Sequence, residues 1–245
     1  MKIIATDFDG TLNHNGIDNK KREAISLWRK SGNLFGIVTG RGVRSIYEVI
    51  NDKNFEYDFI ICNNGAVICD ADLNILAESR CEGEIAVPFI KTLFEWGCPF
   101  ANIDKDTSVM IRNVGYEPEE GEYTIKTVPQ IDYFNQINTY LETEEEASFI
   151  VKKIQNTYGE YFNPLQNGGC IDIPPKGVDK AFGVYSLLKL VGGSYKDVIT
   201  VGDNYNDKDM IREFRSYAMQ NGVDYIKELA DDITSGITEL IEKEI

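Results

Sequence analysis

Residues 3–12, Ile-Ile-Ala-Thr-Asp-Phe-Asp-Gly-Thr-Leu, run from a short apolar segment straight into two aspartates, Asp7 and Asp9, and then into Gly10-Thr11. Asp-Gly is a strong signal for a two-residue hairpin turn. A hairpin needs a returning strand, however, and Leu12-Asn13-His14-Asn15-Gly16 is too polar to supply one. A calcium loop needs glycine at its sixth position and glutamate at its twelfth. Counted from Asp7, Gly10 is fourth and Asp18 twelfth, so that reading fails as well. What remains is a buried strand with carboxylates at its carboxyl end, which is where open α/β sheets bind their ligands.

The flanking sequence supports such a sheet. Asp18 is placed to cap a helix in which Ala24, Leu27 and Trp28 recur at helical spacing until Gly32. Leu34–Val38 is the next apolar run, Val43–Ile50 has helical periodicity, and Phe59–Cys62 is apolar again. The last third repeats the style, with a helix over Lys180–Leu190, a strand over Val198–Val201, a helix near Asp207–Phe214 and a short run Tyr217–Met219. Alternation of this kind predicts parallel strands joined by crossover helices. The middle differs: Ser108–Arg112, Thr124–Val128 and Cys170–Ile173 alternate apolar and polar residues, as half-exposed antiparallel strands do. Helices are expected around Ile90–Phe94 and over Glu144–Tyr158, the latter opened by a Thr143-x-x-Glu146 capping box. The acidic run Glu144–Glu146 is then a favourable first turn.

Composition narrows the function classes. With 245 residues, 42% apolar and 27% charged, the chain can bury one large core or two smaller ones. A net charge of −15 argues against general affinity for nucleic acid or anionic membranes, which need clustered Lys and Arg. Residues 82–178 are the most acidic part, with sixteen acidic and seven basic residues. No apolar run reaches the ~18 residues of a spanning helix, and no signal-peptide pattern opens the chain, so the cytoplasm is the expected compartment. Cys62, Cys69, Cys81, Cys98 and Cys170 form no Cys-x-x-Cys pair and read as buried thiols. His14, the only histidine, excludes any scheme that needs two.

Three further motifs join the first. Thr39-Gly40-Arg41 follows an apolar run and leads into a helix, where a hydroxyl and free N–H groups make a phosphate cradle. Gly40-Arg41-Gly42-Val43-Arg44-Ser45 also approximates a dinucleotide fingerprint, without its third glycine. Gly202-Asp203-Asn204-Tyr205-Asn206-Asp207 is an acid-rich loop after a strand, and Lys180 lies near a helix start. Asp7, Asp9, Asp203 and Asp207 would converge at one sheet edge, where they repel one another unless a cation lies among them. Carboxylate oxygens without His or Cys favour Mg²⁺. A metal, a lysine and a Thr/N–H cradle together can stabilise a transferring phosphoryl group.

On these residues the sequence resembles the haloacid dehalogenase-like phosphatases, and among them the Cof-type hydrolases with a large α/β cap. The motifs are D-F-D-G-T-L at 7–12, T-G-R at 39–41, N-G-A at 64–66, K-G-V-D-K at 176–180 and G-D-N-Y-N-D at 202–207. The resemblance implies a Rossmann-like core from residues 1–81 and 179–245 and an inserted α+β cap over 82–178. It implies Asp7 as nucleophile, forming an aspartyl-phosphate, and Asp9 as acid/base with a pKa raised by burial and by neighbouring carboxylates. It implies Mg²⁺ held by Asp7, the Asp9 carbonyl and Asp203. Thr39, Gly40 and Gly10 would accommodate phosphate, Lys180 would neutralise charge, and Asn206, Asp207 and Asn64 would support the site. The expected partner is a small phosphorylated metabolite, hydrolysed at its monoester. A phosphomutase is the alternative, disfavoured because residues 82–178 contain only Arg112 to anchor a second phosphate. A nicotinamide-dependent oxidoreductase would leave the acidic motifs unexplained, and a non-catalytic cation-binding module would keep every property but metal affinity in Asp7→Asn, where an enzyme would lose turnover. The natural substrate and oligomeric state are not written in the sequence.

Overall fold

The computed structural model describes residues 1–51, 55–105 and 107–245. Its first strand, β1 (Ile3–Asp7), is buried along its whole length. Helix α1 (Asn19–Lys30) follows, and Asp18 caps it by accepting the Lys21 N–H at 2.9 Å. Then come β2 (Leu34–Val38), α2 (Val43–Ile50), β3 (Phe59–Cys62), β4 (Val67–Asp70) and β5 (Ile75–Glu78). Strand β6 (Cys81–Glu82) leaves this sheet and enters a second layer. That layer holds α3 (Ala86–Glu95), β7 (Phe100–Asp104), β8 (Ser108–Arg112), β9 (Tyr123–Thr124) and β10 (Tyr133–Phe134). It continues with β11 (Gln136–Tyr140), α4 (Glu144–Tyr158), β12 (Leu165–Asn167) and β13 (Cys170–Ile173). The chain returns through α5 (Lys180–Val191), β14 (Val198–Gly202), α6 (Lys208–Glu213), β15 (Arg215–Met219), α7 (Asp224–Leu229), β16 (Asp232–Thr234) and α8 (Ile237–Glu244).

Among the described residues the first sheet has the order β16-β15-β14-β1-β2-β3-β4-β5. It is parallel from β16 to β3 and ends in two antiparallel strands that the sequence reading did not foresee. Strand β1 lies at its middle, pairing Ile3 with both Leu34 and Val198. Period-two geometry sends Ile4 into one apolar layer, with Trp28 and Phe35, and Ile3 and Ala5 into the other, with Val184 and Leu187. Both faces are therefore covered, which is why β1 is continuously apolar up to Thr6. Each such side chain contributes ~1.5–3 kcal/mol when fully buried.

The second sheet, of order β12-β13-β11-β7-β8-β9, is antiparallel except at β9. Ala101, Ile103, Ile137, Ile171 and Ile173 fill one face against Phe89, Ile90 and Ile150 of α3 and α4. Helix α4 carries the expected capping box between Thr143 and Glu146. The alternate positions Asn102, Asp104, Gln136, Asn138 and Asp172 form the other face. Two expectations need correction. Thr124–Val128 is not an antiparallel strand: only Tyr123–Thr124 pairs, parallel to β8, and the chain turns at once as Thr127 and Val128 donate back to the Thr124 carbonyl. The cysteines are not all buried either, because Cys81 is half-buried and Cys170 exposed. Cys170 shares the outward parity of Asp172 on β13. No helix among the described residues is long and apolar enough to cross a membrane.

Candidate active site

At the carboxyl end of β1 the chain does not turn into a hairpin. Residues Phe8–Leu12 coil into a wide turn broken at Asp9 (ψ 119°) and Gly10 (φ 84°). A side chain at position 10 would stand 2.4 Å from Asp203 Oδ2, so glycine both accepts the left-handed backbone and makes room for that carboxylate. Asp203 is steadied from the same turn, where Thr11 Oγ1 donates to its Oδ1 at 2.7 Å. The turn itself is tied down by Asn221, whose Nδ2 donates to the Gly10 carbonyl at 2.9 Å.

Lys180 opens α5 and is fully buried. Its ammonium donates to Asp7 Oδ1 and to Asp207 Oδ1, each at 2.5 Å, whereas Lys176 is exposed. The approach of α5 depends on two glycines. A Cβ on Gly65 would lie 2.0 Å from the Asp179 carbonyl oxygen, and one on Gly183 would lie 2.7 Å from Gly65 Cα. The Lys180-Ala181-Phe182-Gly183 spacing thus makes room for the Asn-Gly-Ala turn after β3. Asp207 Oδ2 accepts the backbone N–H groups of Asp203 and Asn204, at 2.9 and 3.0 Å, which shapes the acid loop.

Carboxylate oxygens of Asp7, Asp203 and Asp207 all lie within 4.8 Å of one another. Burial pushes the Asp7 carboxyl well above the usual carboxylate range, against the pull of Lys180 and with added repulsion from Asp207 and Asp203. Burial raises Asp203 too, partly offset by the Thr11 hydroxyl. Burial alone would lower Lys180, but Asp207 and Asp7 outweigh it and hold the ammonium protonated. Three carboxylates thus share one buried ammonium, leaving surplus negative charge that a cation would relieve. Asp207 spends its oxygens on Lys180 and two N–H groups, so Asp7 and Asp203 are the carboxylates open to a metal. An all-oxygen donor set fits a hard cation such as Mg²⁺.

Thr39 is buried at the end of β2, and its Oγ1 accepts the Arg41 N–H at 3.1 Å, which leaves the hydroxyl proton to donate elsewhere. Gly40 lies against the second sheet: a Cβ there would be 2.7 Å from Asp172 Oδ2. Asp9 departs from expectation. Its side chain is 47% exposed and held by Arg41, through Nε at 2.7 Å and Nη2 at 2.8 Å, rather than buried among carboxylates. The guanidinium offers a bidentate partner on the solvent side that the sequence reading had not weighed. Asn206 is buried at the cleft wall, while the hydrogen bonds of the Lys180 ammonium go to Asp7 and Asp207. Asn64 sits behind the wall and donates to Gln136 Oε1 (2.9 Å) and Asp172 Oδ2 (2.8 Å).

These groups surround a cleft of ≈ 500 Å³ whose floor is the core and whose roof is the polar face of the second sheet. Residues that sequence reasoning missed are mostly in that roof. Beside the expected Asn64, and left-handed like it (φ 50° and 51°), Asn63 projects its side chain from the core, and its Nδ2 donates to Asp104 Oδ2 at 3.1 Å. Gln136 Nε2 donates to the Gly40 carbonyl at 3.1 Å. The available signal was a polar residue at every second position, Asn102 and Asp104, Gln136 and Asn138, and Asp172, which share one face of the second sheet.

A family model of haloacid dehalogenase-like hydrolases matches residues 4–239, nearly the whole chain. The protein belongs to that family. Among relatives of these hydrolases, the Bacillus subtilis 5-amino-6-(5-phospho-D-ribitylamino)uracil phosphatase YcsE is 24% identical over 96% of this chain and 90% of its own. The Escherichia coli phosphatase of the same name, YbjI, is 23% identical over 90% and 86%. A solved haloacid dehalogenase-like hydrolase from B. subtilis superposes with a TM-score of 0.81 at 18% identity, covering 100% of both chains. That likeness establishes the shared fold, a Rossmann-like α/β core with an inserted α+β layer.

Proposed function

We propose that this phosphoric monoester hydrolase acts on small phosphorylated metabolites, depends on Mg²⁺, and works through a phosphorylated Asp7. The observation that carries the reading is Lys180 buried between Asp7 and Asp207, with Asp203 beside them. Lys180 orients the Asp7 carboxylate and offsets its charge, so that one oxygen can attack phosphorus in line with the leaving alkoxide. The Thr39 hydroxyl and the Gly40 N–H receive the phosphoryl oxygens, whose charge grows as the bond breaks. Mg²⁺, bound by Asp7, Asp203 and the Asp9 carbonyl, would screen the nucleophile and the phosphoryl group from each other. Asp9 protonates the leaving oxygen and then takes a proton from the water that hydrolyses the aspartyl-phosphate. To do so its carboxyl must leave Arg41 and take up a proton from solvent before it turns to the leaving oxygen, and the proton it later takes from water restores it. Residues 82–178 act as a cap closing over the leaving group, the core being 1–81 and 179–245, in a cytoplasmic setting.

A mutase would anchor a second phosphate, and Arg112, the arginine of the second sheet, is instead paired with Glu122 at 2.5 Å. The test is phosphate release from p-nitrophenyl phosphate with Mg²⁺, together with trapping of a phosphorylated aspartate. Wild type is expected to turn over and to be labelled at residue 7. Absence of Mg²⁺-dependent release would refute the reading.

A further inference from the structure

The roof of the cleft has a chemical character of its own. Asn138 pairs in register with Asp172 on one side and Asn102 on the other, and Gln136 with Asp104, so five polar side chains form one patch across three strands. Asp104 is nearly saturated: Asn63, Asn102 and Asn138 each donate to it at 3.1 Å. It therefore serves to fix those amides. Asp172 is not saturated. Oδ2 accepts from Asn64 at 2.8 Å, whereas Oδ1 has only a long contact with Gln136 at 3.4 Å. Beside it the fully buried Asn64 has an Oδ1 with no hydrogen-bond partner.

Asp172 thus shows an under-used acceptor to the cleft, and the unpartnered Asn64 Oδ1 lies in the wall behind it. Two of the cations that line the cleft are engaged elsewhere, Arg44 with Glu48 and Lys105 over the Tyr133 ring at 5.2 Å, and Arg41 belongs to the floor, where it holds Asp9. No aromatic ring lines it among the described residues, so nothing offers a stacking platform for a nucleobase. Burial, with repulsion from Asp172, pushes Asp104 up to about 6, and burial pushes Asp172 up to about 6 against the pull of Asn64 and Lys180.

We propose that Asp172, backed by Asn138 and Asn64, is a specificity residue that recognises hydrogen-bond donors on the leaving group, and that the preferred substrates are phosphomonoesters of amino-bearing polyols or amino alcohols. Neutral polyol phosphates are accepted less well, and anionic leaving groups are rejected by the same carboxylates. The inference rests on the phosphatase reading and narrows it to a substrate class.

The test measures kcat/KM at pH 7 with Mg²⁺ for two matched pairs, glucosamine 6-phosphate with glucose 6-phosphate and phosphoethanolamine with 2-hydroxyethyl phosphate, and adds 6-phosphogluconate as the anionic member. The amine is expected to lead its neutral partner by about tenfold in at least one pair, equivalent to ~1.4 kcal/mol, with the anionic ester slowest. In Asp172→Asn that ratio should fall to about twofold or less. Because it is a ratio within one variant, general loss of activity cancels. Should Asp172→Asn fail to fold, product inhibition of wild type replaces it, with glucosamine inhibiting at concentrations about tenfold below glucose. Equal ratios in both pairs, a preference untouched by Asp172→Asn, or equal inhibition by the two sugars would overturn the inference alone. No release from any ester, p-nitrophenyl phosphate included, would instead overturn the phosphatase reading beneath it.

Discussion

The floor and the roof of the cleft treat charge in opposite ways. In the floor, two carboxylates are locked to a buried ammonium at 2.5 Å, and a third is pinned by a hydroxyl and pressed against a glycine. In the roof, two carboxylates are surrounded by neutral amides and meet no cation. The contrast separates two tasks. A nucleophile must be held rigidly in one orientation, which ion pairing across three chain segments achieves. A surface that selects among leaving groups keeps acceptors available, so it is built from side chains whose remaining lone pairs face the cleft.

The sharpest way to break the comparison is Asp7→Asn, which keeps shape but removes the oxygen proposed to attack phosphorus. Turnover of p-nitrophenyl phosphate should fall by about 10⁴-fold or more, with the circular dichroism spectrum unchanged. Residual activity within tenfold of wild type would show that Asp7 is not the nucleophile. Next comes Lys180→Ala, which leaves Asp7 and Asp207 buried without their partner. Chemical denaturation should register a loss of ~3–5 kcal/mol, and a change below ~1 kcal/mol would mean that the buried ion pair does not organise the floor.

The roof responds to pH rather than to pairing. Asp104, about 6 in the folded state against an ordinary 3.8, holds a proton in the folded chain that the unfolded chain has released between those values. Stability from this group is therefore highest at low pH and falls as pH rises through 6. Measured against Asp104→Asn, which cannot titrate there, wild type should lose up to ~3 kcal/mol of relative stability between pH 4 and pH 7. A flat difference would remove the claim that the roof lacks positive charge. The smallest effect is expected for Asn221→Ala, which frees the Gly10 carbonyl and should cost ~1 kcal/mol by thermal denaturation. A larger loss in Mg²⁺-dependent activity than in stability would sharpen its role, because the turn it holds also seats Asp203.

The floor was legible in the sequence because its residues come in contiguous motifs at the ends of apolar strands, and topology alone gathers such ends at one edge. Asp7, Asp203 and Lys180 could be assembled without knowing any distance. The orientation of Asp9 could not, since it depends on Arg41 being within reach in three dimensions. The roof was harder to read because it contributes one or two polar residues per strand, spaced by buried isoleucines. Phe100–Asp104 and Gln136–Tyr140 carry Asn, Asp and Gln at positions where strand propensity is weak, so neither was recognised as a strand. Packing of Ile103 and Ile137 against α3 and α4 overrides that local preference. The glycines at 65 and 183 show the same limit: their meaning lies in how closely α5 approaches the turn after β3, a property of the pair.

The position of β1 at the centre of its sheet has a consequence for biogenesis. Its neighbour on one side, β2, is made within the next thirty-odd residues, but its neighbour on the other, β14, is translated almost two hundred residues later. Until then one edge of a largely apolar strand, Ile-Ile-Ala-Thr-Asp, has unpaired backbone groups able to accept a foreign strand. The nascent chain therefore keeps that edge open to misassociation until the last quarter of the protein emerges.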